Sequence, residues 1–97
     1  MSEERVRIDV WLWRARFAKT RAAASRMVSE GGVRVVRRDG LARRLEKPSA
    51  EIGCGDAVLF PARGQVRGVR VLALGARRGP PAEARTLYCD IEAPSFA

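Results

Sequence analysis

Apolar positions recur at helical spacing near the start of the chain and at strand spacing after it. Ile8, Leu12 and Ala15 fall three or four apart, as do Trp13 and Phe17. This predicts a short helix over about 9–18, capped by Asp9. Lys19-Thr20 interrupts it, and Thr20 is placed to cap a second helix, Arg21 to Glu30, whose alanine run has high helix propensity. Ala24, Met27 and Val28 form its apolar face; Arg21 and Ser25 share another face, with Arg26 to the side. Gly31-Gly32 supplies the stop. The period then drops to two. Val33-Arg34-Val35 reads as a half-buried strand, Asp39-Gly40 as a hairpin turn, and Leu41 to Leu45 as the returning strand. Lys47-Pro48-Ser49 leaves the sheet, and Ile52 with Gly55-Asp56 leads into a strand over Ala57 to Phe60. Pro61 to Gly64 turns, and Val66 to Leu74 is the longest strand, with Val69, Val71 and Ala73 on one face. Pro81 opens a last short helix, Ala82 to Tyr88. Residues 1–6 read as frayed. The order predicts an α+β domain over 5–90, with flexible ends at 1–4 and 91–97.

Length and charge narrow the function. A chain of 97 residues fits one domain and buries only about two-thirds of its unfolded surface, so a deep catalytic cleft is hard to build. The formal net charge is +8. Residues 1–50 carry 13 basic and 6 acidic side chains, whereas residues 51–97 carry 6 and 5. Such a concentration repels itself unless an anionic partner uses it. Only Lys19 and Lys47 are lysines; the rest are arginines, whose planar fork binds phosphate bidentately and stacks on bases. The sequence MSEERVR has no apolar leader segment, and no apolar run approaches the ~20 residues of a membrane span. No membrane partner is expected, and the expected location is the cytoplasm. Cys54 and Cys89 are far apart without a CxxC motif, and there is no histidine. No metal site is expected, and both thiols are expected to be small buried side chains.

The charge gathers around the turn between the first two helices. Lys19, Thr20 and Arg21 sit at the second helix's N-terminus, where unpaired N–H groups already carry partial positive charge. Arg7 and Arg16 lie nearby in the chain, and Arg34, Arg37 and Arg38 extend the surface along the following hairpin. This is a phosphate-binding pattern, although isolated arginines on helix faces are commonly just solvated. Trp13 and Phe17 read as half-core, and Trp11 is compatible with either core packing or base stacking.

Catalysis finds little support. Histidine, the commonest general acid/base, is absent; neither cysteine has a paired base; no acidic dyad or nucleotide-binding glycine motif occurs. The expectation is a non-enzyme that needs no cofactor. Three alternatives compete with RNA binding. The two-helix segment resembles a helix-turn-helix for duplex DNA, but Arg21 to Glu30 is alanine-rich and lacks a base-reading set. A protein contact through the Tyr88 segment is another, and the family resemblance below implies a third, a recruiting module for an RNA-modifying enzyme.

Arg7-Ile8-Asp9 with Leu12, Thr20-Arg21 with Ala24 and Val28, Gly31, Val33, Val35, Lys47-Pro48-Ser49, Ile52 and Gly55-Asp56 resemble the alpha-L RNA-binding motif. This is the domain of ribosomal small-subunit protein four, the S-four domain. The run from Asp9 through Trp11-Leu12-Trp13 to Lys19-Thr20-Arg21, with Arg77-Arg78, Pro80, Glu83-Ala84 and Leu87-Tyr88, is similar to the stand-alone bacterial heat-shock branch of that family. The resemblance covers about residues 5–90. It implies two antiparallel helices packed on a small bent antiparallel sheet, with a short C-terminal helix. It implies RNA contacts from Arg7, Asp9, Arg16, Lys19, Thr20, Arg21, Ser25 and Arg34; Arg37 and Lys47 complete the expected set. It implies binding to free large ribosomal subunits that still hold peptidyl-tRNA, and a role in their rescue. Ribosomal RNA and ribosome-bound tRNA are then the expected partners, with single- or double-stranded DNA as an in vitro alternative and a monomer as the expected state. The chain departs from the family in two places. Val36-Arg37 stands where Asn-Gly is usual, which lengthens the hairpin and gives it Arg43 and Arg44. Val10 replaces a common lysine and removes one phosphate contact.

Overall fold

The computed structural model describes residues 4–37 and 39–92. Strand β1 (Val6–Arg7) runs directly into helix α1 (Ile8–Arg14), and a bend leads to α2 (Arg21–Ser29). Strands β2 (Arg34–Val36), β3 (Ala42–Arg44), β4 (Glu51–Ile52), β5 (Ala57–Ala62) and β6 (Gln65–Val71) follow. Helix α3 (Pro81–Ala84) passes through a 3-10 turn, Arg85–Leu87, into β7 (Tyr88–Ile91). Five strands form an antiparallel sheet in the order β3-β2-β5-β6-β7, and β1 pairs with β4 in a separate ribbon. The α+β class, the two leading helices and the short C-terminal helix agree with the expectation.

One face of the sheet carries the core. Val33 and Val35 from the β2 segment, Val58 and Phe60 from β5, and Val69 and Val71 from β6 pack with Ile8, Trp11, Leu12, Ala24 and Val28 of the two helices. The period of two in the strands and of about 3.6 in the helices is what lets both surfaces meet. Trp11, compatible with two roles in the sequence, is wholly buried, and its indole Nε1–H donates to the Ala73 carbonyl at 2.9 Å. Trp13 and Phe17 are half-buried against this core.

Several local expectations are corrected. Asp9 does not cap α1. The helix starts one residue earlier because its first N–H groups are taken by another segment: Ile8 donates to Ala50 O at 2.7 Å and Asp9 to Pro48 O at 3.4 Å. Asp9 is thereby drawn inside. Helix α1 also ends at Arg14 rather than 18, because Phe17 and Ala18 both turn back to Leu12 O and Arg16 takes a positive φ of 65°. Val6 is paired with Ile52 rather than frayed; residues 1–3 lie outside the described residues. The turn after β5 is Arg63-Gly64 alone, both at positive φ, which suits the twist of a two-residue hairpin. Strand β6 ends at Val71, because Leu72 and Ala73 both donate instead to Leu87 O. The last helix stops at Ala84 and Tyr88 begins β7, so Ile91 is a paired residue; residues 93–97 lie outside the described residues. Cys54 and Cys89 are both free and exposed, since each falls beside the core rather than in it.

Thr20 does cap α2: its Oγ1 accepts from Ala23 N at 3.0 Å. Losing an N-cap hydroxyl costs about 1 kcal/mol, and in a domain of this size that lowers the melting temperature by roughly 4–8 °C. Thr20→Ala is expected to show that shift in thermal circular dichroism, and Thr20→Ser almost none. At the other end of α2, Gly31 has a φ of +80°, the left-handed conformation a helix stop uses.

Candidate nucleic-acid interface

A buried carboxylate ties the N-terminal end of α1 to the middle of α2. Asp9 is 1% exposed. It accepts Arg7 Nε at 3.0 Å and Arg7 Nη2 at 2.8 Å, Ser25 Oγ at 3.1 Å and Val10 N at 2.8 Å. A carboxylate this deeply buried needs such partners to offset its desolvation. Asp9 therefore fixes Arg7 and ties it to the middle of α2. The Lys47-Pro48-Ser49 loop joins the same neighbourhood through the Pro48 and Ala50 carbonyls that cap α1.

Around this node the cations face outward. Arg7 is half-exposed even while paired with Asp9. Arg21 lies one turn before Ser25 on α2, on the same side of the helix. Lys19, Arg21, Arg26 and Lys47 are exposed, and none has an ion-pair partner among the described residues. Thr20 uses one lone pair on Ala23 N and keeps its hydroxyl proton to donate. The Arg21 and Ala22 N–H groups have no partner among the described residues, since Ala23 and Ala24 bond back to Thr20. Two backbone donors, one hydroxyl and two cationic side chains thus converge at the start of a nine-residue helix, the arrangement that receives a phosphate.

Arg16, Arg34 and Arg37 sit elsewhere. Arg16 is exposed at the bend, but its Nε donates to Gly79 O at 2.7 Å. Arg37 is committed to Asp56 Oδ2 at 3.1 Å and to Glu51 O at 3.0 Å. Arg34 projects from the sheet face opposite the helices, because Val33 and Val35 on either side of it point into the core. It stands near the C-terminal end of α2, about 13 Å along the helix from Arg21. Arg38 lies outside the described residues.

Two arginines outside the expected contact set, Arg14 and Arg78, hold the bend. Arg78 donates to Trp13 O at 3.1 Å and Ala18 O at 3.4 Å, and Arg14 donates to Gly75 O at 2.8 Å. Together with Arg16 they stitch the end of α1 to the 74–80 loop. The available signal was chemical: a short helix leaves its last carbonyls unpaired, and a Gly/Pro-rich loop bearing Arg77-Arg78 can supply donors. Among the described residues there is no cluster of three or more acidic or cysteine side chains able to hold a metal ion, and no helix is long and apolar enough to cross a membrane.

Comparison with known proteins matches this geometry. The S4 domain matches residues 6–35, the stretch that holds both helices and enters β2. Heat shock protein 15 homolog of Haemophilus influenzae is 34% identical over 93 residues, covering 95% of this chain and 66% of that protein. Heat shock protein 15 of Escherichia coli is 40% identical over 83 residues, covering 86% and 58%. The chain thus spans less than two-thirds of the length of each of these two relatives. A solved structure described as trimeric heat shock protein 15 of Vibrio cholerae superposes with a TM-score of 0.78 at 32% identity, covering 91% of this chain and 83% of that one. On fold and on sequence, this chain belongs to the heat shock protein 15 family of S4-domain proteins.

Proposed function

We propose that the chain is a non-enzymatic RNA-binding protein that grips folded ribosomal RNA of the large subunit through the N-terminal ends of α1 and α2. Family membership supports the coarse part, RNA binding. The observation that supports a phosphate-based grip is the gathering of Lys19, Thr20, Arg21 and two unpaired backbone N–H groups at the start of α2, one helical turn from the Arg7–Asp9–Ser25 node. Helical RNA hides its base edges in a deep groove, so recognition rests on phosphates and shape, which is what this surface offers. Within the expected contact set, Arg7, Lys19, Thr20, Arg21 and Lys47 touch RNA. Asp9 and Ser25 position Arg7, and Arg16 and Arg37 serve the fold. One chain carries the whole cluster, so a monomer suffices for this contact. The cellular role we assign is binding of free large subunits that retain peptidyl-tRNA, in the cytoplasm, as a step in their rescue.

If about five phosphates are neutralised, the affinity for an RNA hairpin falls with salt at a log–log slope of about −3.5 to −4.5. A filter-binding titration reads the slope directly, and a value near zero refutes a phosphate-based grip. For the ribosomal part, the protein should cosediment with isolated large subunits and not with small ones, and in-cell crosslinking should recover large-subunit RNA. Recovery of random messenger fragments would reduce the function to generic RNA binding.

A further inference from the structure

The face of the sheet turned away from the helices carries a cavity of about 290 Å³, lined by Gly31, Gly32, Arg34, Leu59, Pro61 and Val66. Strand alternation sets these residues apart from the core. Val58 and Phe60 pack on the helices, whereas Leu59 between them points the other way, yet it is only 2% exposed. The cavity wall is therefore apolar at depth and open at the rim, where Val66 is 49% exposed. The two glycines keep the walls close: a Cβ on Gly32 would meet the Pro61 ring at 3.1 Å.

Cations surround this apolar slot. The Arg44 guanidinium lies directly over Gly31, where a side chain on residue 31 would run into it. Arg44 is exposed and has no ion-pair partner among the described residues. Arg34 forms part of the lining, and Arg63 occupies the hairpin turn just beyond Pro61 and Val66. No lining residue is acidic.

We infer that this cavity is a nucleobase subsite, which takes one unpaired base of the bound RNA while Arg44 and Arg63 meet its flanking phosphates. The inference rests on the RNA reading and extends it from helical phosphates to a single-stranded nucleotide. Three features select a base. The volume lies just below the range of about 300–1,000 Å³ typical of drug-sized ligands, enough for one planar ring system. An apolar slot beside guanidinium planes suits a base's faces, because arginine stacks on them. The positive rim suits the phosphates on either side, and no acidic side chain lines the slot to repel them.

The test compares three RNA ligands that share one hairpin stem: blunt, extended by three unpaired 3′ nucleotides, and extended by three abasic nucleotides that keep the phosphates. Wild-type protein is expected to bind the unpaired extension about tenfold tighter than the blunt stem, the low end of what one stacked base contributes. The abasic extension should recover only a small part of that gain. Val66→Glu should abolish the base-dependent gain and leave blunt-stem affinity and melting temperature within error. Arg44→Ala should reduce the gain severalfold. Equal binding of the base-bearing and abasic extensions overturns the proposal, as does a gain that survives in Val66→Glu. If sedimentation shows an oligomer that Val66→Glu dissociates, with no change in RNA binding, the face belongs to a second copy and the proposal also fails. Failure of the interhelical site would instead appear as blunt-stem binding that Arg21→Glu leaves intact.

Discussion

Replacing Arg21 with glutamate should weaken RNA binding by roughly 30-fold at 0.1 M salt while leaving the melting temperature unchanged or slightly raised. The two effects have opposite origins. Each neutralised phosphate contributes a factor of about five to eight at that ionic strength, and reversing the charge removes one cation and adds one anion, about two such factors. The salt slope should become shallower by between one and two units. On the folded protein alone the substitution is favourable. Helix α2 has no acidic residue in its first turn, and Arg21 places a positive charge at the positive end of the dipole. A glutamate there gains about 0.3–1 kcal/mol at an exposed site. Its side chain has no ion-pair partner among the described residues, so nothing in the fold is lost. Filter binding and thermal circular dichroism on the same preparation separate the two terms. Unchanged affinity would remove the N-terminus of α2 from the RNA surface; a large fall in melting temperature would make Arg21 a structural residue.

The opposition between stability and binding at Arg21 also marks what could be read from the sequence. Thr20 as cap, Gly31 as stop, the alternation through Val33 to Val35 and the return over Ala42 to Arg44 rest on local chemistry, and each appears where that chemistry puts it. The failures share a different cause: a partner distant in sequence. Asp9 is a strong cap type, but the Pro48 and Ala50 carbonyls satisfy α1 first and leave the carboxylate to hold Arg7 and Ser25. Val6 looks terminal until Ile52 is placed beside it. Arg16 and Arg37 look like free cations until Gly79 O, Asp56 and Glu51 O claim them. Charge asymmetry along the chain puts the excess of basic residues in the N-terminal half. It could not tell a guanidinium that carries a phosphate from one that pins a bend. The two exposed cysteines make the same point, since thiol burial is a compositional tendency that no local spacing enforces.

Trp11 decides whether that bend exists, and Trp11→Ala should be the most damaging single substitution in the molecule. The ring is fully buried and lies 5.9 Å from Phe17, which in turn contacts Phe60 at 4.7 Å and Tyr88 at 4.6 Å between ring centroids. Trp11 therefore ties α1 to Phe17 in the bend, and Phe17 carries the stack on to β5 and β7. Truncating a buried aromatic to alanine costs about 3–5 kcal/mol, and the Ala73 carbonyl, left without the indole donor, adds about 1–3. Against a total of about 5–15 kcal/mol for a domain of this length, that is a large fraction of the stability. At about 4–8 °C per kcal/mol, the variant's melting temperature should fall by 20 °C or more. Trp11→Phe keeps most of the volume but loses the hydrogen bond, so it should cost about 1–3 kcal/mol and melt roughly 5–20 °C lower. Its RNA affinity, measured at 15 °C where it is folded, should match wild type, because a ring sealed beneath α1 cannot reach a base. A Trp11→Phe protein with native melting behaviour and weakened RNA binding would show that the indole works at the RNA surface, and the packing described here would be wrong at its centre.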